Sequence, residues 1–85
     1  MFKVIRYEKN EGRPVDRIEY FGEVLYVFSD HKYIATDKSG KVFSFKEKPV
    51  VVEENKEWWS DQPYYQLGLI KYQGDWRDSL VATQV

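Results

Sequence analysis

The 85-residue chain contains no cysteine, one histidine, three prolines, five scattered glycines and no apolar run long enough to cross a membrane. Each shortage excludes a class of chemistry. Without thiols there is neither a disulfide framework nor a thiolate metal site, which suits a cytoplasmic setting. Glu53-Glu54 and Asp75/Asp78 lack the closely alternating spacing of a calcium loop. Gly12, Gly22, Gly40, Gly68 and Gly74 stand alone as turn or break residues and form no phosphate cradle. His31, next to Asp30, reads as an exposed turn histidine, and neither Ser29 nor Ser39 sits on the tight elbow a nucleophile needs. The opening MFKVIRYEKNEGR offers neither a leader peptide nor an anchor. The expectation is a cytoplasmic protein that is not an enzyme, holds no metal or cofactor and does not enter a membrane.

What the chain does have is rings. Three tryptophans, seven tyrosines and five phenylalanines make 18% of it aromatic. A domain this short buries a smaller share of its surface than a longer one, so it needs large side chains in its core. Each buried ring removes roughly 150–250 Å² from water. Residues 1–85 read as one domain.

Most of the length has strand character. FKVIRY (2–7) and VDRIEYF (15–21) flank the turn-forming EKNEGRP (8–14), and Gly22 ends the second. EVLYVF (23–28) is a continuous apolar run, the pattern of a strand covered on both faces or of a short buried helix, with Val, Tyr and Phe favouring the strand. KYIATDKSGKVFSF (32–45) is a hairpin whose Asp37-Lys38-Ser39-Gly40 suits a type I turn closed by glycine at positive φ. That turn sets Thr36 against Val42 and Ala35 against Phe43, which puts Tyr33, Ala35, Phe43 and Phe45 on one side, the expected core side. VVV (50–52) is a further strand, followed by a charged turn, EENKE. Tyr64 to Ile70 is the last apolar stretch. Asp75 suits the cap of a helical turn in which Trp76 and Leu80 share a face, and ATQV at the end is expected to fray or pair at a sheet edge. The fold class is all-β or β-dominated α+β, with about five strands in a curled antiparallel sheet or SH3-like barrel and one short helical turn near Trp76–Leu80.

The functional question centres on KEWWSDQPYYQLG (56–68), where Trp58, Trp59, Tyr64 and Tyr65 crowd together. Neighbours in an extended chain face opposite ways, so only one ring of each pair enters a thin core from one side. The other is left for a partner. Trp, Tyr and Arg are the usual interface anchors, which makes these four rings, with Arg77 at the rim, the candidate protein-binding residues.

Charge supplies an alternative. Ten Lys/Arg against eight Asp/Glu occupy residues 1–48, and three against six occupy 49–85. Cations interleaved with rings are what a sheet offers to RNA or single-stranded DNA, with rings stacked on bases and lysines along the phosphates. Lys3, Arg6, Tyr7, Lys32, Tyr33, Lys41 and Lys46 are the candidates for that reading. Simple alternation, rings in and lysines out, gives the same string. A self-associating subunit, a homodimer for example, is a third role open to such a sheet.

Two resemblances bear on the choice. VVVEENKEWW (50–59) with GLI (68–70) resembles the paired tryptophans and later Gly-apolar-apolar turn of SH3 domains. Lys71 and Tyr72 replace that family's Pro and Tyr, and its N-terminal Ala-Leu-Tyr-Asp-Tyr signature is absent, so the resemblance implies a small, partly closed barrel and no proline-peptide groove. The second covers more of the chain. HKYIATDKSGKVFSFKEKP (31–49), WWS (58–60), LG (67–68) and GDWRDSL (74–80) resemble small accessory proteins encoded by tailed bacteriophages. The resemblance implies a protein of the host bacterial cytoplasm that binds and inhibits a host factor in counter-defence, such as a toxin–antitoxin, restriction or CRISPR component.

Overall fold

The computed structural model describes residues 13–83 and the backbone of residues 3–4. Arg6, Tyr7 and most of the 8–14 turn lie outside the described residues, as do residues 84 and 85. In chain order the elements are β1 (Lys3–Val4), β2 (Val15–Tyr20), β3 (Glu23–Phe28), β4 (Tyr33–Thr36), β5 (Lys41–Phe45), β6 (Val50–Val52), β7 (Glu57–Trp59), β8 (Tyr64–Leu69), a 3-10 turn (Trp76–Asp78) and β9 (Val81–Ala82). The main sheet is antiparallel in the order β1-β8-β5-β4-β9, and β2–β3 and β6–β7 are separate two-stranded hairpins. The fold is β-dominated, and its described strands do not close into a barrel.

The β4–β5 hairpin has the register its turn chemistry requires, Ala35 opposite Phe43 and Thr36 opposite Val42. Gly40 sits at φ +96, and its N–H donates to the Asp37 carbonyl at 2.9 Å. Both faces of this hairpin are covered, where the sequence pointed to one. Ile34 and Val42 pack with Leu67 of the sheet and Ile70 just after β8, beneath Tyr20, Leu25 and Val27 of β2–β3. On the opposite side Ala35 and Phe45 pack with Trp58 and Trp76, joined by Tyr33, Phe43, Val51 and Leu80. The molecule is therefore three layers deep, with the sheet between one hairpin and a lid made of the other hairpin and the 3-10 turn.

A polar cluster is sealed inside. Tyr20 donates its hydroxyl to the Ser79 carbonyl at 3.0 Å and meets Thr36 Oγ1 at 2.7 Å, while the Thr36 N–H donates to Ser79 Oγ at 2.8 Å. Burial pushes the Tyr20 phenol up to about 12. These bonds hold the 3-10 turn to β4, and Asp75 caps that turn by accepting the Arg77 N–H at 2.9 Å. EVLYVF is a strand, but a half-covered one: Leu25 and Val27 are buried while Tyr26 is exposed beside Arg17. β2 stops at Tyr20, and Phe21 (φ +47) and Gly22 (φ +85) make the two-residue turn.

Candidate functional site

The β6–β7 hairpin decides the fate of the tandem tryptophans. Val51 lies opposite Trp58, and Val50 lies opposite Trp59. Facing residues share a side and neighbours alternate, so Val51 and Trp58 turn to the core while Val50 and Trp59 turn away. Three contacts fix this orientation. The Trp58 N–H donates to Asp37 Oδ1 at 2.9 Å, its indole Nε1 donates to the Thr36 carbonyl at 3.1 Å, and its ring meets Trp76 edge-on at 6.2 Å. Trp58 keeps 9% of its surface in solvent and Trp59 keeps 50%.

The tyrosines divide in the same way. Between β7 and β8 the chain turns at Ser60, whose hydroxyl accepts the Gln62 N–H at 3.1 Å, and at Pro63, whose carbonyl accepts the Lys46 N–H at 3.1 Å. Tyr65 is half-buried against the first core cluster, with its ring 5.2 Å from Phe28. Tyr64 is 56% exposed, and its ring stands 5.8 Å from Phe43 and 6.0 Å from Phe45. Trp59 and Tyr64 border one small cleft of about 80 Å³. Phe43, Phe45, Trp58 and Ser60 line it too, and so do Asp37 and Glu57.

The fifth expected residue, at the rim, is engaged within the chain. Arg77 is held between Glu53 (2.7 Å) and Asp75 (3.0 Å), with its guanidinium 5.0 Å from the Trp76 ring centre. This pairing lifts the Arg77 pKa above its usual range and holds the Glu53 carboxyl below its own; the Asp75 carboxyl is held down first by the Arg77 backbone N–H and then by the guanidinium.

The lysines proposed for nucleic acid are spread out. Lys32 and Lys46 flank the open end of β4–β5, and Lys41 lies at the turn end, roughly 14–17 Å away along β5. All three are exposed, whereas Tyr33 is half-buried in the second core cluster. Lys3 lies opposite Leu69, in the row that also holds Lys41.

His31 departs from expectation. It is in the turn after β3, but only 3% exposed, with Nδ1 2.7 Å from Ser44 Oγ and its ring against Phe28. Burial pushes its pKa below the ordinary value. Among the described residues no group of three or more His, Cys, Asp and Glu is placed to hold a metal ion, and no helix is long and apolar enough to cross a membrane.

Sequence reasoning missed six residues at the cleft and its rim: Val50, Phe43, Phe45, Asp37, Glu57 and Ser60. Pairing VVV with EWW across the short EENK turn would have found the Val50–Trp59 pair. Nothing local marks Asp37 as more than a turn residue. No protein family, curated protein or solved structure matches this chain.

Proposed function

We propose that this chain is a non-enzymatic binding protein that docks onto a host protein through the face carrying Val50, Trp59 and Tyr64. In keeping with its resemblance to phage accessory proteins, it binds to inhibit, in counter-defence. The observation that carries this reading is the contrast between adjacent indoles. Trp58 has every reason to be a tryptophan inside the fold, whereas Trp59, at 50% exposure, has no such role and stands beside an exposed tyrosine and valine. Exposed rings grouped on one face are what an interface uses as anchors.

Nucleic acid is the second reading, and it has less behind it. The exposed lysines Lys32, Lys41 and Lys46 do not converge on exposed rings. Phosphate binding displaces counterions, so an RNA complex here would weaken steeply with salt.

A pull-down from bacterial lysate, with and without nuclease, tests the proposal. Retention of a defined host protein in both lanes is expected. Capture that disappears with nuclease favours the second reading. If the only species retained is a second copy of the chain, with mass rising with concentration in light scattering, the face is a dimer contact instead.

A further inference from the structure

We infer that the cleft between Trp59 and Tyr64 receives an arginine side chain of the protein partner, an inference that rests on the docking face proposed above. The cleft is small. At about 80 Å³ it falls well below the roughly 300–1,000 Å³ of small-molecule sites, and it accommodates the head of one side chain.

Its chemistry is that of a cation receptor. Aromatic rings carry negative charge on their faces and attract a cation that stacks on them. Here the exposed rings of Trp59 and Tyr64 and the half-buried ring of Phe43 border the cleft, while Phe45, 1% exposed, packs against Phe43 and Tyr64 at 6.1 and 6.0 Å. Asp37 and Glu57 add two acidic residues, and among the described residues no lysine or arginine lines the cleft.

Asp37 is the second, independent sign. It is 6% exposed, and one of its oxygens accepts the Trp58 N–H. Among the described residues the other oxygen has no hydrogen-bond donor, and neither Asp37 nor Glu57 belongs to an ion pair. A buried acceptor without a donor is costly, and a like charge nearby adds to the cost. Burial, chiefly, raises the Asp37 carboxyl, and the charge of Glu57 pushes the same way.

An arriving guanidinium relieves both costs. It is planar, weakly hydrated, stacks on rings and presents a fork of donors that matches carboxylates. Asp37 and Glu57 also border a neighbouring groove lined by Lys38, Lys41 and Lys56, and the Lys41 charge offsets part of the burial cost of Asp37, so the guanidinium gains most from the aromatic rings on the other wall.

The test is an NMR titration of the full chain with Nα-acetyl-arginine methylamide and its uncharged citrulline counterpart. The arginine compound is expected to move the Trp58 amide and Trp59 indole N–H signals saturably. The citrulline compound should bind about tenfold more weakly. Glu57→Gln, an outward-facing change, should weaken the arginine response by a similar factor. Asp37→Asn, which keeps an oxygen for the Trp58 N–H, should do the same. Equal responses to the two compounds, no response, or an arginine response untouched by Glu57→Gln overturns the inference. Failure of the docking face reads differently: there, Trp59→Ala retains the captured host protein. Loss of that protein in Trp59→Ala with equal arginine and citrulline responses overturns the arginine slot alone.

Discussion

Asp37 Oδ1 accepts the backbone N–H of Trp58 at 2.9 Å, joining the β4–β5 turn to a strand 21 residues further along the chain. With the bond from the Trp58 indole to the Thr36 carbonyl, it determines which of two identical neighbours goes inside. A shift of one residue in β7 would bury Trp59 and eject Trp58, and these bonds are what forbid it.

The two indoles should therefore respond differently to removal. Trp58→Ala empties a core position and loses the buried indole bond to the Thr36 carbonyl, so it should cost about 3–5 kcal/mol. That is a large share of a small domain's total stability. Trp59→Ala loses only a cross-strand neighbour and should cost under about 1 kcal/mol. Urea denaturation of the two variants beside the wild type measures both.

His31 makes stability depend on pH. Its folded pKa lies below 6.5, mainly because burial disfavours the charged ring; the charges of Arg13 and Lys46 push it further down, and Asp30 opposes them. The unfolded chain binds that proton more readily, so the contribution is complete above pH 6.5 and is lost as pH falls through the folded value. Asp37 works in the opposite sense at lower pH. Its carboxyl is raised above 3.8, so its contribution is present below that value and is lost as pH rises through the folded one. Denaturation midpoints should fall on acidification from pH 6.5 in the wild type, and His31→Gln should flatten that limb.

Gly40 should tolerate no side chain. A Cβ there would stand 2.5 Å from the Ile70 carbonyl oxygen, at a backbone φ of +96. Gly40→Ala should cost about 1–3 kcal/mol from backbone strain, with the clash added to it. Gly22, at φ +85, has nothing among the described residues within 4 Å of an added Cβ, so Gly22→Ala carries only the conformational cost and should be the milder variant in thermal unfolding.

Arg77 should matter more to its partners' charge than to the fold. Its pairs with Glu53 and Asp75 are exposed and screened by solvent. In Arg77→Ala the two carboxyls should titrate nearer their ordinary values, because the guanidinium hydrogen bonds that hold Glu53 down are gone and Asp75 keeps only its bond to the residue 77 N–H. Carboxyl carbon shifts followed by NMR read this directly, and the melting temperature should barely move.

Local chemistry made part of this structure legible. The Asp37–Gly40 turn has a preferred geometry, and that geometry fixed the pairing of Ala35 with Phe43. Asp75, with Asp78 three positions on, reads as a cap, and it caps the turn by accepting the Arg77 N–H. Alternation alone required that Trp58 and Trp59 part company, and that Tyr64 and Tyr65 do likewise. What stayed hidden depends on which layers meet. His31 looks like any turn histidine until Phe28 and Ser44 close over it. The β4–β5 ribbon looks one-sided until β2–β3 and β6–β7 cover opposite faces. Asp37 gains its second role only because β7 arrives beside the turn, a contact set by tertiary packing and by no local pattern.

The most direct test of the docking face is the affinity of the captured host protein for the wild type and for Trp59→Ala, measured by calorimetry at matched, fully folded concentration. An anchor residue is worth about 2 kcal/mol or more, so the variant should bind roughly 30-fold more weakly. Equal affinity would contradict the account, since the exposed indole would then play no part in recognition.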